Sequence, residues 1–251
     1  VYTGVSVAYD ALNKDALDAI QEKANRKIHS IVLHVNFEYS FPQYHVEKIV
    51  EAGMIPHLVW QPWIWDDKTA VNKDALLNGE WDDYLTEFAE DVRLFQYPVF
   101  IQLAPLFNLE NQAWSISNLG KDPEAYKSYY SYIHSFFENV GNVVWVWAPY
   151  VESYPNRDWN DIVKAYPGDE RVDWVAVHGF RYSDKEDWAQ QLTFEELFSN
   201  MLTKFKLFNK PIMLASFGTV AGQESWFDEI LPTLKTSFYD VNCYNPGLKF
   251  N

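Results

Sequence analysis

Eight runs of near-continuous apolar residues, rich in β-branched and aromatic side chains, punctuate this chain at 2–9, 29–37, 54–62, 97–105, 143–150, 172–180, 210–218 and 238–245. Unbroken apolarity, as opposed to strict alternation, is what a parallel strand covered on both faces requires. The stretches between the runs carry helical spacing. Asn13 can cap a helix whose stripe is Leu17, Ile20 and Ala24. Val46, Ile49 and Val50 form a second stripe that Gly53 can stop. Leu85, Phe88, Val92 and Phe95 form a third, and Tyr126, Tyr129, Ile133 and Phe136 a fourth behind Pro123. A short helical segment is read around Trp159, Ile162 and Val163. Thr193 and Glu196 fit a capping box ahead of Leu197, Met201 and Phe205. Trp226, Ile230 and Leu234 continue the pattern, with Pro232 expected to kink or shorten that helix.

Strand–helix alternation carried through eight strands predicts an α/β protein of the (β/α)8 TIM-barrel type, a single domain over residues 1–251. A doubly wound open sheet is the runner-up, but no Gly-rich turn follows the first strand. The loops after the third, fourth and sixth strands are long, at 63–80, 106–121 and 181–192, whereas helix-to-strand turns are tight. In a barrel those long loops gather at the C-terminal face, where ligands bind.

Charge narrows the partner. Lys+Arg total 20 against 35 Asp+Glu, a net charge of −15. That balance excludes nucleic acid, which needs clustered cations, and disfavours anionic membranes and polyanionic ligands. A neutral ligand fits best. The 11 Trp residues change the picture further, because flat aromatic faces suit the C–H faces of sugars. Most of these rings are assigned to the core, and only those at strand tips or in the following loops qualify as ligand platforms. Cys243 is alone and the six His show no metal-ligand spacing, so no metal or cofactor is expected. No apolar run reaches the length of a membrane-spanning helix.

The strand tips resemble glycoside hydrolase family 26, the β-mannanase and lichenase family of retaining (β/α)8 enzymes. WQPW at 60–63 is similar to its Trp-Glu-Pro strand end, and WVWAPY at 145–150 to its Trp-Val-Trp-Ser-Pro-Asn segment. YPGDERVDWVAVHGF at 166–180 resembles its Tyr-Pro-Gly-Asp-Asp…Val-Asp-Trp-Val-Gly-Asp-Gly-Tyr stretch. KPIMLASFG at 210–218 resembles its Lys-Pro-Ile-Met-Ile-Ala-Glu-Phe-Gly strand, and Tyr244–Asn245 its final Phe-Asn. The resemblance runs in order along almost the whole chain.

Carried over residue by residue, the resemblance places the family's acid/base glutamate at Leu106 and its nucleophile at Ser216. Of the Arg-x-x-His-Glu-Met-Asn segment only Asn108 survives. His178 stands for an aspartate, Phe180 for the tyrosine that would orient the nucleophile, and Gln61 for the strand-three glutamate. Leucine has no proton to give, and an unassisted serine hydroxyl is a poor nucleophile. Both catalytic positions are therefore read as lost, leaving no catalytic residue.

Other carboxylates follow the strand tips. Glu110 and Glu152 are the fallback carboxylates: a Glu110–Glu152 or a Glu110–Asp184 pair is conceivable for an inverting mechanism, which tolerates a wider separation, and Glu224 also lies in a post-strand loop. Their bland reading is solvated loop charge. His178 with Ser216 invites a Ser–His hydrolase reading, but Ala215–Gly218 is not a nucleophile elbow. The expected ligand-binding set is Trp60, Gln61, Trp63, Asn108, Trp114, Trp147, Tyr150, His178, Phe180, Tyr182 and Ser216, with Trp65 balanced between loop packing and stacking. On the fifth strand, Trp145 is read as helix-facing core and Trp147 as facing the lumen or pocket.

These residues imply an inactive hydrolase-like barrel that binds a neutral β-linked oligo- or polysaccharide, of mannan or β-glucan type, in a cleft at the C-terminal face. It is expected to be secreted, periplasmic or at the cell surface, alone or as a module of a larger protein. The alternatives are an active endo-β-mannanase or β-glucanase with relocated carboxylates, and a structural or interaction barrel with a closed cleft.

Overall fold

In the computed structural model, which describes residues 2–24, 27–64, 69–181, 192–219, 224–238 and 240–246, all eight apolar runs become strands of one closed parallel barrel. These are β1 (Tyr2–Ser6), β2 (Ser30–Asn36), β3 (Ile55–Gln61), β4 (Val99–Leu103), β5 (Val143–Trp147), β6 (Trp174–Arg181), β7 (Ile212–Thr219) and β8 (Val241–Pro246). They pair in sequence order, and β1 closes the ring by pairing with β8 through Tyr2 and Cys243. A small antiparallel ribbon, Trp63–Ile64 with Thr69–Ala70, stands in the loop after β3.

The helices follow the apolar stripes. They are α1 (Lys14–Ala24), α2 (Gln43–Glu51), α3 (Lys73–Leu77), α4 (Asp82–Phe95), α5 (Pro123–Ser135), α6 (Phe194–Phe205) and α7 (Ile230–Thr236). Asn13 Oδ1 accepts from the Ala16 amide at 2.9 Å, capping α1. Gly53, at φ +74°, reverses the chain after α2. The Thr193–Glu196 capping box opens α6. Pro232 confines α7 to seven residues, preceded by a 3-10 turn at Glu224–Glu229.

One expected helix is absent. Between β5 and β6 the chain forms only 3-10 turns, Asp158–Asn160 and Asp169–Arg171. Side chains claim the backbone groups a helix would use. Asn160 Nδ2 donates to the carbonyls of Asn108 and Pro155, and Ser153 Oγ donates to the Asn160 carbonyl.

The strands sort their side chains into two cores. Outward residues such as Leu58, Trp60, Ile101, Leu103, Trp145, Trp147, Val175, Val177 and Leu214 form the large cluster under the helices. Inward residues Val146, Ala148, Ala176, Met213, Ala215 and Cys243 form a small core inside the barrel, with Phe100 and Trp174 against it. Trp145 and Trp147, two residues apart, share the outward face because strand side chains alternate with period two. The expectation that Trp147 faces the lumen is corrected on that ground.

Candidate functional site

Above the small inner core, the barrel lumen turns polar. The residues responsible are inward positions: His57, level with Phe100 on β4, and further along the strands His34 on β2, Gln61 on β3, Gln102 on β4, His178 on β6 and Ser216 on β7. The Gln102 amide donates to His178 Nε2 at 2.6 Å, which leaves the ring proton on Nδ1, and Nδ1 lies 2.5 Å from Ser216 Oγ. A bulge sets this contact up. Val177 pairs with Leu214, but His178 pairs with Ser216, so the extra residue Ala215 brings the serine level with the histidine.

These imidazoles are neutral at physiological pH. Burial pushes His178 down to about 3, with the nearby rings of His34 and His57 adding to the shift. Burial likewise lowers His57 to about 4, opposed by Gln102. His34, which opens onto the cavity, is also lowered, by desolvation, against the opposing effect of its hydrogen bond to Gln61. No barrel strand carries an aspartate or glutamate that could charge them.

Beside this cluster lies a cavity of about 260 Å³, lined by His34, Val35, Asn36, Tyr39, Gln61 and Trp63. It opens over the tips of β2 and β3. Trp63 is half-buried here, its carbonyl accepting from the Phe37 amide at 3.3 Å.

The neighbouring sector, over β4 and β5, is filled by packed side chains. The Ala104 amide donates to the Trp60 carbonyl and the Leu106 amide to the Ala148 carbonyl, so the tip of β4 stays tied to both neighbours. Ala104 and Leu106 adopt φ of +44° and +59°, a left-handed conformation that costs a residue with a Cβ on the order of 1 kcal/mol or more. Leu106 packs half-buried on the main core, and Phe107 is stacked between Tyr126 at 4.3 Å and Trp147 at 5.1 Å.

Several expected ligand residues turn out to be structural. Trp60 is fully buried and stacked on Phe88 at 4.2 Å, so no face is left for a sugar. Trp147 is fully buried among Phe107, Tyr166 and Phe208. Trp114 is buried and donates its indole N–H to the Pro105 carbonyl at 2.7 Å. Asn108 is a buried tie, donating to the Tyr150 carbonyl and accepting from the Tyr150 amide. Tyr150 is itself buried, with its hydroxyl against the Phe180 backbone.

The structure brings Gln61 and Trp63 together at the cavity and His178 with Ser216 across the lumen, with Phe180 half-buried at the tip of β6. Glu110 and Glu152 are exposed in adjoining loops, where the Glu110 amide donates to the Tyr154 carbonyl. Tyr182, Trp65 and Asp184 lie outside the described residues. Sequence reasoning missed His34, His57 and Tyr39. The signal for the two histidines was available, as isolated polar residues at inward parity in otherwise apolar strands. Among the described residues, no group of three His, Cys, Asp or Glu could hold a metal ion, and no helix is long and apolar enough to cross a membrane.

Comparisons with known proteins agree on the family. The model for Glycosyl hydrolase family 26 matches residues 44–230. Endoglucanase H of Acetivibrio thermocellus is 24% identical over 239 residues, which is 91% of this chain and 26% of that protein. The chain thus spans about a quarter of that relative's length. The structure of BoMan26A, a β-mannanase from Bacteroides ovatus, superposes with a TM-score of 0.72 at 16% identity, over 98% of this chain and 80% of its own. The catalytic domain of an endo-β-1,4-mannanase from Bacillus sp. JAMB-750 gives 0.74 at 14% identity, over 100% and 78%. At these identities the structures share the fold.

Proposed function

This chain belongs to glycosyl hydrolase family 26, and we propose that it binds a neutral β-linked polysaccharide at the mouth of its barrel without hydrolysing it. One observation carries the reading: the chain has 35 Asp and Glu, yet none stands on a barrel strand. Retaining hydrolysis needs two carboxyl groups about 5–5.5 Å apart across the scissile bond. At the two expected strand tips this protein has an aliphatic side chain and a hydroxyl. Ser216 gains little from His178, whose buried ring, held near 3, is a weak base with no carboxylate to stabilise its protonated form. Glu110 and Glu152 are exposed in loops off the barrel strands.

Binding asks less of the site. The cavity offers neutral donors and acceptors from His34, Asn36 and Gln61 beside the Trp63 indole, with Ser216 and Phe180 across the lumen. Uncharged hydrogen-bonding groups beside an aromatic face match a hydroxylated, uncharged ring. The mannanase and endoglucanase names of the relatives favour mannan or β-glucan. The greater length of the Acetivibrio relative supports a place within a modular protein, and a polysaccharide of this kind would be met outside the cell.

Affinity electrophoresis and calorimetry on galactomannan, glucomannan and mixed-linkage β-glucan, with reducing ends measured in parallel, test the proposal. Retarded migration on at least one polymer is expected, with reducing ends at the blank level. Sugar release abolished by Glu110→Gln or Glu152→Gln would restore an active hydrolase with relocated carboxylates. Silence across the whole panel would leave a structural or interaction barrel.

A further inference from the structure

We propose that the glycan track continues outward from the cavity over an exposed aromatic strip of Tyr39, Tyr9 and Tyr44, so that the protein selects long chains over short ones. This rests on the polysaccharide reading above and adds to it a direction and a length preference.

Two stretches of chain build the strip on one face, the turn after β1 and the β2–α2 connection with the first turn of α2. Tyr9 opens the 3-10 turn that follows β1, Tyr39 lies in the turn after β2, and Tyr44 sits in the first turn of α2. All three positions follow the C-terminal ends of strands, the face on which the cavity opens. Of the five exposed tyrosines among the described residues, three are these, at 37%, 58% and 64% exposure for Tyr9, Tyr39 and Tyr44. Exposed rings gathered in one place mark an interaction surface in a way that scattered ones do not.

The strip is continuous with the cavity. Tyr39 lines the cavity itself, and the Tyr9 hydroxyl donates at 2.9 Å to the carbonyl of His34, another lining residue. Tyr9 and Tyr39 are near enough to raise the charging cost of the Tyr9 phenol together with burial. From Tyr9 the path runs edge-on to His45 at 4.7 Å, and from His45 edge-on to Tyr44 at 5.3 Å.

The backbone that carries Tyr39 is fixed. The Tyr39 amide donates to the Asn36 carbonyl at 3.2 Å, and the Tyr84 hydroxyl donates to the Tyr39 carbonyl at 3.0 Å. A ring on an ordered backbone loses less freedom on stacking than one on a loose loop. The occupant follows from chemistry. Lys48, above the Tyr44 ring, is paired with Glu51, so the cation seen beside the strip is already matched by a carboxylate and does not favour a polyanion. Amphipathic phenol faces beside a neutral polar cavity suit successive sugar rings of one chain.

Calorimetry with manno-oligosaccharides and mixed-linkage gluco-oligosaccharides of increasing length tests this on the intact chain, using wild type and Tyr44→Ala. Tyr44 is chosen because its ring contacts are the surface residues His45 and Lys48, and thermal unfolding of the variant verifies the fold. Wild-type affinity is expected to rise with length beyond the short sugars that fill the cavity. Tyr44→Ala is expected to weaken long-chain binding about three- to tenfold and leave short-chain binding unchanged. Length-independent wild-type affinity, or equal losses for short and long chains, overturns the strip while the polysaccharide reading stands. No binding at any length overturns both.

Discussion

On one side of the barrel mouth, the tips of β4 and β5 end in packed aromatic and aliphatic groups, with Leu106 on the core, Phe107 between two rings and Asn108 buried as a tie between loops. On the other side, the tips of β2 and β3 end in His34, Asn36, Gln61 and Trp63 around open space. The first side is filled by apolar packing, and backbone hydrogen bonds hold the strand end in a left-handed turn. The second side leaves polar groups around open space. In the proposed reading, the loss of a proton donor at the first side leaves the binding surface of the second intact, because the two depend on different strand tips.

The largest expected effect probes the filled side. Trp147→Ala should cost about 3–5 kcal/mol of stability in chemical denaturation, because a fully buried indole leaves a cavity among Phe107, Tyr166 and Phe208. Glycan affinity of the folded fraction should be unchanged. A small stability loss with a large affinity loss would move Trp147 back into the pocket and break the comparison.

The polar lumen makes an intermediate prediction through pH. An unfolded chain protonates His57 and His178 near the ordinary histidine value, whereas the folded chain does so only at about 4 and about 3. In mildly acid solution the unfolded state binds more protons, so stability falls as pH drops below about 6.5, by about 1.4 kcal/mol per pH unit for each histidine. Denaturation curves from about pH 7 to about pH 5 should show this slope, and His178→Gln should flatten it by roughly half. An unchanged slope in the variant would mean that the His178 ring is not held neutral.

The smallest effect belongs to the open side. Trp63→Ala should weaken polysaccharide binding about tenfold in calorimetry while changing stability by about 1 kcal/mol or less. A variant that unfolds readily but binds normally would make Trp63 a packing residue like Trp114.

The barrel was legible because each strand is a near-continuous apolar run and the main helices are apolar stripes, two of them opened by the Asn13 cap and the Thr193–Glu196 box. The site was only partly legible. Trp60 and Trp147 sit in segments that resemble cleft-lining motifs, yet their parity on the strand sends both rings outward. His34 and His57 stand out as isolated polar residues in apolar strands, yet only strand pairing fixes that their shared parity faces the lumen. The pairing of His178 with Ser216 depends on a bulge whose presence only the partner strand reveals.

The amino-acid order alone determined the alternation of strands and helices, the order of the strand tips and the lack of carboxylates on them, since each is written in short-range pattern and residue identity. Tertiary structure alone decided which rings were buried, that the tips of β4 and β5 were filled while those of β2 and β3 stayed open, and that Tyr9 met Tyr39 and Tyr44 on one face. Those outcomes depend on which strand lies beside which, and on side chains competing for the same space.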